Sequence, residues 1–184
     1  MVLQRKKADP EFSTEILSTS EKLIISILYN SENALNAFEI YTKILVLRAS
    51  DFEEASDKII SRNREIDKEY PKDIMTVARE RLKKITDAYT QDRRKIADYF
   101  WEKKYEDAAK IMRSHGHDVP TYPRIKRILE GLEKEGFVSK RKTESGKGAE
   151  VWFLEKAIRK LIGQEVGIGL FQTVPNVKRS DFSL

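Results

Sequence analysis

Residues 122–138 read YPRIKRILEGLEKEGFV, and this stretch decides the fold. Its apolar side chains recur at the three- and four-residue spacing of one helix face: Ile125, Ile128, Leu129 and Leu132. Pro123 suits a first helical turn, and Gly136 stands where a glycine often caps a helix C-terminus. The spacing therefore predicts a helix that begins at Thr121–Pro123, with an apolar inner face and a basic outer face.

A β-hairpin is predicted directly after this helix. Residues 137–143 and 149–154 both have strand character, and the sequence Glu-Ser-Gly-Lys-Gly at 144–148 separates them as a glycine-containing turn. Residues 155–162 return to helical spacing, and we expect Gly163 to end that closing helix.

Three capping signals organise the first part of the chain. Ser18–Glu21 forms a capping box that opens a helix ending near Asn30, and residues 31–35 follow as a short polar link. Asn36–Glu39 opens a second short helix. Ser50–Glu53 is a third capping box, so we expect a new helix to begin there.

A long helical pattern runs from Pro71 to Arg113, where His115-Gly116-His117-Asp118 ends it. Asp92 interrupts its apolar stripe, which argues against a strict coiled coil. Together with the preceding helix, this pattern predicts a helical hairpin or coiled-coil insertion over residues 49–118.

The excess of positive charge lies in one part of the sequence. Residues 49–118 contain 16 Lys/Arg and 16 Asp/Glu, whereas residues 119–162 contain 11 and six. The net charge of +5 in that 44-residue segment equals the net charge of the whole chain. A localised basic segment of this kind is typical of a nucleic-acid-binding surface.

Composition excludes several other classes of protein. The chain contains no cysteine, so disulfide frameworks, thiolate zinc sites and cysteine nucleophiles are excluded. No apolar run approaches the ~20 residues that a membrane span needs, and no signal peptide is visible, so a cytoplasmic location is expected. We find no nucleophile–base arrangement and predict no catalytic residue, cofactor or metal site.

The predicted DNA-binding residues occupy the helix and the hairpin. The first two turns of such a helix reach base edges in the major groove, and the basic hairpin lies beside phosphates. The candidates in the helix are Thr121, Tyr122, Arg124, Lys126 and Arg127, and those in the hairpin are Lys140, Arg141, Lys142 and Lys147.

The stretch 122–138, the hairpin and Val151-Trp152-Phe153 resemble winged-helix regulators of the PadR and MarR type. The helix at 23–29 and the opening Ala37–Tyr41 of the next resemble the first two helices of that module. This resemblance covers about 80 residues in two blocks. It implies DNA binding as a dimer and, most often, repression of transcription. In those regulators the second and third helices are nearly adjacent, whereas here about 70 residues intervene.

We therefore predict a mainly α protein with a small β-hairpin: a winged helix-turn-helix domain split by a long helical hairpin. Its first two helices lie in 13–48, the insertion in 49–118, and the recognition helix, wing and closing helix in 119–162. Residues 163–184 form a C-terminal tail. Residues 1–12 are expected to be disordered or vector-derived, since 8–12 resemble the translation of two adjacent cloning sites.

Two functions fit this organisation. The first is a dimeric transcriptional regulator that binds double-stranded DNA and dimerises through the helix at 71–113, with Ile85, Tyr89 and Ile96 near the centre of the dimer. The alternative is a winged-helix subunit of a replication, segregation or transcription complex that acts mainly through protein contacts, with the insertion as a partner site.

Other residue clusters have a simpler interpretation. His115 and His117 fit a loop that ends a helix better than a metal site, because no cysteine or further histidine accompanies them. Gly146 and Gly148 fit a wing turn better than a phosphate loop. The aromatic side chains at 99–101 and 105 are expected to pack within the hairpin rather than stack on bases.

Overall fold

The computed structural model describes residues 17–69, 76–143 and 148–165. Within these ranges the protein is mainly helical and contains one small antiparallel sheet. The helices are α1 (Thr19–Tyr29), α2 (Ala37–Glu69), α3 (Thr76–Trp101), α4 (Tyr105–Ser114), α5 (Tyr122–Lys134) and α6 (Lys156–Glu165). The strands are β1 (Leu35–Asn36), β2 (Val138–Lys142) and β3 (Glu150–Leu154).

The first two capping signals work as predicted. Ser18 accepts a hydrogen bond from the backbone of Glu21, whose carboxylate accepts one from the backbone of Ser18. Asn36 and Glu39 make the same reciprocal pair at the start of α2, at 2.9 and 2.7 Å. Each box satisfies backbone N–H groups that a helix leaves without partners at its N-terminus.

The helix start predicted at the third capping box was wrong, because α2 continues through Ser50 and Glu53 without a break. Ala49 and Phe52 are buried there, so packing holds this turn in helical form despite the polar residues beside them. A serine or aspartate inside a helix costs less than about 1 kcal/mol, which burial of a phenylalanine exceeds. The predicted domain boundary at 48/49 consequently falls inside one continuous helix.

The single helix predicted from Pro71 to Arg113 was also wrong. Within the described residues, α3 ends at Trp101 and α4 begins at Tyr105. Lys103 has a φ of 58°, and the backbone N–H groups of Lys103 and Lys104 bond back to Phe100 and Tyr99. This is the Schellman arrangement that ends helices, formed here without the usual glycine. The sequence therefore carried no glycine signal at this elbow.

Glycine does end α4 and α5 in the same way. Gly116 and Gly136 have φ values of 84° and 82°. The residue after each of them donates to a carbonyl five positions earlier, His117 to Met112 and Phe137 to Leu132. The prediction for Gly136 is confirmed, since this cap turns the chain from α5 directly into β2.

The expected end of α6 at Gly163 was wrong, because the helix runs to Glu165. Ile158 and Ile162 are buried on its inner face. Arg159 donates hydrogen bonds to the carbonyl oxygens of Leu28, Tyr29 and Ser31, which ties α6 to the end of α1. Packing and these bonds outweigh the helix cost of about 1 kcal/mol for one glycine.

The sheet contains a strand that the sequence pattern did not reveal. Leu35–Asn36, at the end of the expected polar link, pairs with β3 and gives the strand order β1-β3-β2. All neighbours are antiparallel. Two residues are too few to show the alternation of polar and apolar side chains by which a strand is predicted.

The core joins α1, the first half of α2, α5, α6 and the sheet. Its largest fully buried side chains include Phe52, Ile24, Ile25, Ile40, Ile44, Leu129 and Ile162. Met112 and Ala108 extend this core into α4, and Ile96 extends it into α3. The second half of α2 packs along α3 as the two arms of a helical hairpin.

This arrangement changes the expected dimer centre. Ile96 is only 5 % exposed and belongs to the core, and Tyr89 stacks on Phe52 with ring centroids 5.4 Å apart. Of the three residues expected there, Ile85 alone is exposed, at 47 %. Several predictions lie outside the described residues: those for 1–12, Pro71, Gly146, Lys147 and the tail from 166 onward.

Lys103 provides a test of the elbow between α3 and α4. Replacing Lys103 by glycine should raise the free energy of unfolding by roughly 0.5–1 kcal/mol, because glycine adopts positive φ without steric cost. Lys104→Gly is the matched control, since Lys104 has a φ of −84° and should lose stability. Urea denaturation measures both, and equal destabilisation by the two changes would contradict the elbow geometry.

Candidate nucleic-acid interface

Helix α5 is fixed by its inner face and exposes its basic outer face. Ile125, Leu129 and Leu132 are fully buried. Arg124, Lys126 and Arg127 are exposed, all within the first half of the helix. The positive end of the helix dipole lies at the same end, so backbone and side chains combine to create positive potential there.

The second half of α5 carries the opposite sign of charge. Glu130 is exposed, Glu133 is half-buried and Glu135 is the C-cap residue. Lys134 is the one positively charged residue among them. A polyanion would therefore be attracted to the N-terminal half of α5 and repelled from part of its C-terminal half.

Aromatic contacts hold the N-terminus of α5 against the start of α2. The ring of Tyr122 lies 6.1 Å from that of Phe38 and 5.9 Å from that of Tyr41. Lys126 places its ammonium nitrogen 4.9 Å from the centre of the Tyr122 ring. Tyr122, a predicted DNA contact, therefore positions the helix as well as bordering its basic surface.

Hydrogen bonds from α2 and α4 fix the segment that leads into α5. The Tyr41 hydroxyl donates to Glu106 at 2.7 Å, and Arg113 bonds to both Glu106 and the carbonyl oxygen of Val119. Arg48 donates to the carbonyl oxygen of Asp118 at 3.1 Å. This network sets where α5 begins.

The titration of this network follows from its geometry. Burial and the bond to Glu106 raise the pKa of Tyr41 well above its usual range. Burial alone would raise the pKa of Glu106, but hydrogen bonds from Tyr41 and Arg113 outweigh it and lower that pKa. Glu106 thus stays an anionic acceptor at neutral pH.

The basic residues of the β2–β3 hairpin lie on two faces of the sheet. Lys140 and Lys142 alternate with Arg141, so they share the face that Val138 turns toward the core. Arg141 lies on the other face, 5.8 Å from the centre of the Phe153 ring. The three residues predicted together from the sequence are therefore presented in two directions.

Lys140 connects the hairpin to α5. Its ammonium nitrogen lies 3.2 Å from a carboxylate oxygen of Glu133 and 5.3 Å from the centre of the Trp152 ring. The hydrogen bond to Glu133 raises the pKa of Lys140. Sequence reasoning missed Glu133, because its position in α5 gave no sign that a strand would bring a lysine to it.

The remaining site residues are placed as follows. Thr121 is the exposed N-cap residue of α5, and its side chain makes no capping hydrogen bond. Arg124 lies 3.9 Å from Asp118, a distance at which an exposed ion pair contributes little. The structure thus brings the helix residues 121–127 to one end of α5 and places β2 against the other end of the same helix.

The other clusters considered from sequence have structural roles in the described residues. His115 is the C-cap of α4 and lies 2.9 Å from Asp92, so Asp92 pairs across helices instead of merely interrupting a stripe. Phe100 and Tyr105 pack together, with ring centroids 5.8 Å apart. Trp101 was expected to pack and does not, since it is 90 % exposed.

The described residues contain no group of three or more histidine or acidic side chains placed to hold a metal ion. None of the described helices combines the length and the apolar character that crossing a membrane requires. The chain matches no protein-family model, no curated protein and no solved structure.

Lysine acylation tests the contact between α5 and β2. At pH 8 Lys140 should react more slowly with an N-hydroxysuccinimide ester in the wild type than in Glu133→Gln, because the raised pKa leaves less of the reactive neutral amine. Peptide mass spectrometry gives both rates, with Lys160 as an internal control. An unchanged rate at Lys140 would mean that Glu133 does not pair with it in solution.

Proposed function

We propose that this protein is a winged-helix protein that binds double-stranded DNA, most simply as a dimeric transcriptional regulator. The observation that carries the proposal is the exposed basic side of α5, with Arg124, Lys126 and Arg127, on a helix whose opposite side buries Ile125, Leu129 and Leu132. A helix held in this way can enter the major groove without losing its support from the core.

The order and pairing of elements support the winged-helix assignment. α1, β1 and the first half of α2 precede the helical hairpin. After it, α5 is followed by the antiparallel strands β2 and β3 and by the closing helix α6. β1 pairs with β3, so the sheet fastens the hairpin of β2 and β3 to the α1–α2 end of the core. In this assignment α5 is the recognition helix and the hairpin is the wing.

The contacts with DNA follow from the positions of the basic residues. Arg127 points away from the buried face of α5 and is assigned to a base edge, with Arg124 and Lys126 at the flanks. Thr121 and the N-terminus of α5 are assigned to a phosphate, because a helix N-terminus attracts anions. Lys140, Arg141, Lys142 and Lys147 of the wing are assigned to phosphates beside the groove.

Electrophoretic mobility shifts test the proposed activity directly. Random duplex and the DNA upstream of the protein's own gene should both be shifted, and the affinity for both should fall steeply as salt rises. Stronger binding to the upstream DNA would support a regulatory role. Absence of any shift at low salt would overturn the proposal.

Arg127→Ala should weaken binding to a preferred site by about 1–3 kcal/mol and binding to random duplex much less, because a lost base contact affects only the sequence that offers it. Lys134→Ala is the matched control: Lys134 is exposed on the same helix, in its acidic half. Fluorescence anisotropy measures the six affinities, those of the wild type and the two variants for each duplex. Equal losses on both duplexes would make Arg127 a phosphate contact instead.

Replacing Lys140 and Lys142 by alanine should reduce the steepness of log affinity against log salt by up to about two units, since each phosphate contact contributes about 0.9. Binding should weaken alike on all duplexes. The control removes Lys156 and Lys160, two exposed lysines of α6 that are not assigned to DNA contacts. An unchanged slope with intact binding would exclude the wing from the interface.

A second candidate function is a winged-helix subunit of a replication, segregation or transcription complex. Trp101 favours it, because a tryptophan 90 % exposed beside the elbow of α3 and α4 is typical of a protein-contact residue. The two candidates separate in the Arg127→Ala experiment: a protein-binding module loses no affinity for either duplex.

A further inference from the structure

In the helical hairpin formed by the second half of α2 and by α3, the part farther from the core has no buried side chain among the described residues. Among the described side chains, the last buried one on α2 is that of Ser56 and the first on α3 is that of Ile96. Between them, among the described side chains from Asp57 to Lys68 and from Val77 to Lys95, none is buried. The apolar residues of this distal hairpin include Ile59, Ile60, Ile66, Leu82 and Ile85.

Two helices alone cannot cover such a stripe. Each arm shields one flank of the other, and the apolar side chains remain in contact with water on their open flank. Ile85 is the clearest case, since it is 47 % exposed although its neighbour Thr86 faces α2 and bonds to Asn63. Apolar stripes left open on a helix pair are typical of protein–protein contact surfaces.

The charges of the two arms indicate what covers the stripe. Residues 51–69 of α2 contain seven acidic and four basic side chains, whereas residues 76–101 of α3 contain four acidic and seven basic ones. The arms therefore carry formal net charges of −3 and +3. Arg93 already uses this difference within the chain, where it bridges Glu53 and Asp57 of α2.

We propose that the open flank of the distal hairpin binds the same flank of a second copy of this chain. A two-fold axis parallel to the two arms sets the acidic arm of one copy on the basic arm of the other. The same rotation sets the two apolar stripes against each other. The resulting four-helix arrangement buries Ile85 near its centre and leaves Tyr89 and Ile96 in their contacts within the chain. This dimer rests on the proposed function in one respect only, namely that the second copy supplies a second recognition helix for DNA.

The test begins with the mass of the full chain in solution. Light scattering at tens of micromolar, without DNA, should give about 43 kDa, twice the 21.4 kDa of the chain. Ile85→Lys should raise the dissociation constant of the dimer by about tenfold or more, because two buried isoleucines are replaced by charges. Circular dichroism should remain that of the wild type, since Ile85 is not part of the core.

Gln91→Lys is the matched control. It adds the same charge to an exposed position of α3 that is separated from Ile85 by about 120° around the helix, and it should leave the dimer intact. A monomeric wild type would overturn the proposal, as would equal dissociation by both substitutions. Binding to a duplex with a single half-site, measured separately, would still report on α5, so failure of the dimer and failure of DNA binding are distinguishable.

Discussion

The uninterrupted packing of α2 determines how the core and the helical hairpin are placed relative to each other. Its first half buries Ile40, Ile44 and Leu45 against the core that holds α5, and its second half forms one arm of the hairpin. At ~1.5 Å per residue a helix of 33 residues is about 50 Å long. Because no break separates the two halves, the direction of the hairpin is fixed relative to α5. Any second copy bound to the helical hairpin is then held at a defined position relative to α5 of the first copy.

The start of α5 is specified by residues far from it in sequence. Tyr41, Arg48, Glu106 and Arg113 come from α2 and α4, yet their hydrogen bonds fix Asp118 and Val119 just before the helix. The helical hairpin is followed directly by α4, and these hydrogen bonds of α4 therefore connect it to the basic surface. In the proposed function, a partner bound to the helical hairpin would act on the DNA-binding surface through these hydrogen bonds.

Much of the fold was predictable because its signals are local. The capping residues Ser18 and Asn36, the apolar face of α5 and the glycine at 136 each act within a few positions, and each was confirmed. The errors arose where tertiary packing overrode local preference: buried Phe52 carries α2 through a capping box, and buried Ile162 carries α6 through Gly163. At Lys103 the chain adopts a conformation favoured by glycine without containing one, so the elbow left no trace in the sequence.

The candidate site was predictable in composition but not in arrangement. Its basic residues could be counted, and the opposite faces of Lys140 and Arg141 follow from the alternation of side chains along any strand, whereas which face turns toward the core depends on how the sheet packs. The pairing of Lys140 with Glu133 depends on how the hairpin folds back toward α5, and the contact of Tyr122 with Phe38 depends on the approach of two helices 84 residues apart in sequence. Such contacts are set by the core and cannot be inferred from spacing along one element.

In the proposed function, duplex DNA contacts the N-terminal half of α5 and the β2–β3 hairpin. The most direct measurement is a titration of the ¹⁵N-labelled protein with a duplex of about one to two helical turns, followed by the backbone amide resonances. We expect the largest shifts at residues 121–127 and 138–143, and little change along the arms of the helical hairpin. Shifts confined to the hairpin arms, or no shifts at low salt, would contradict it.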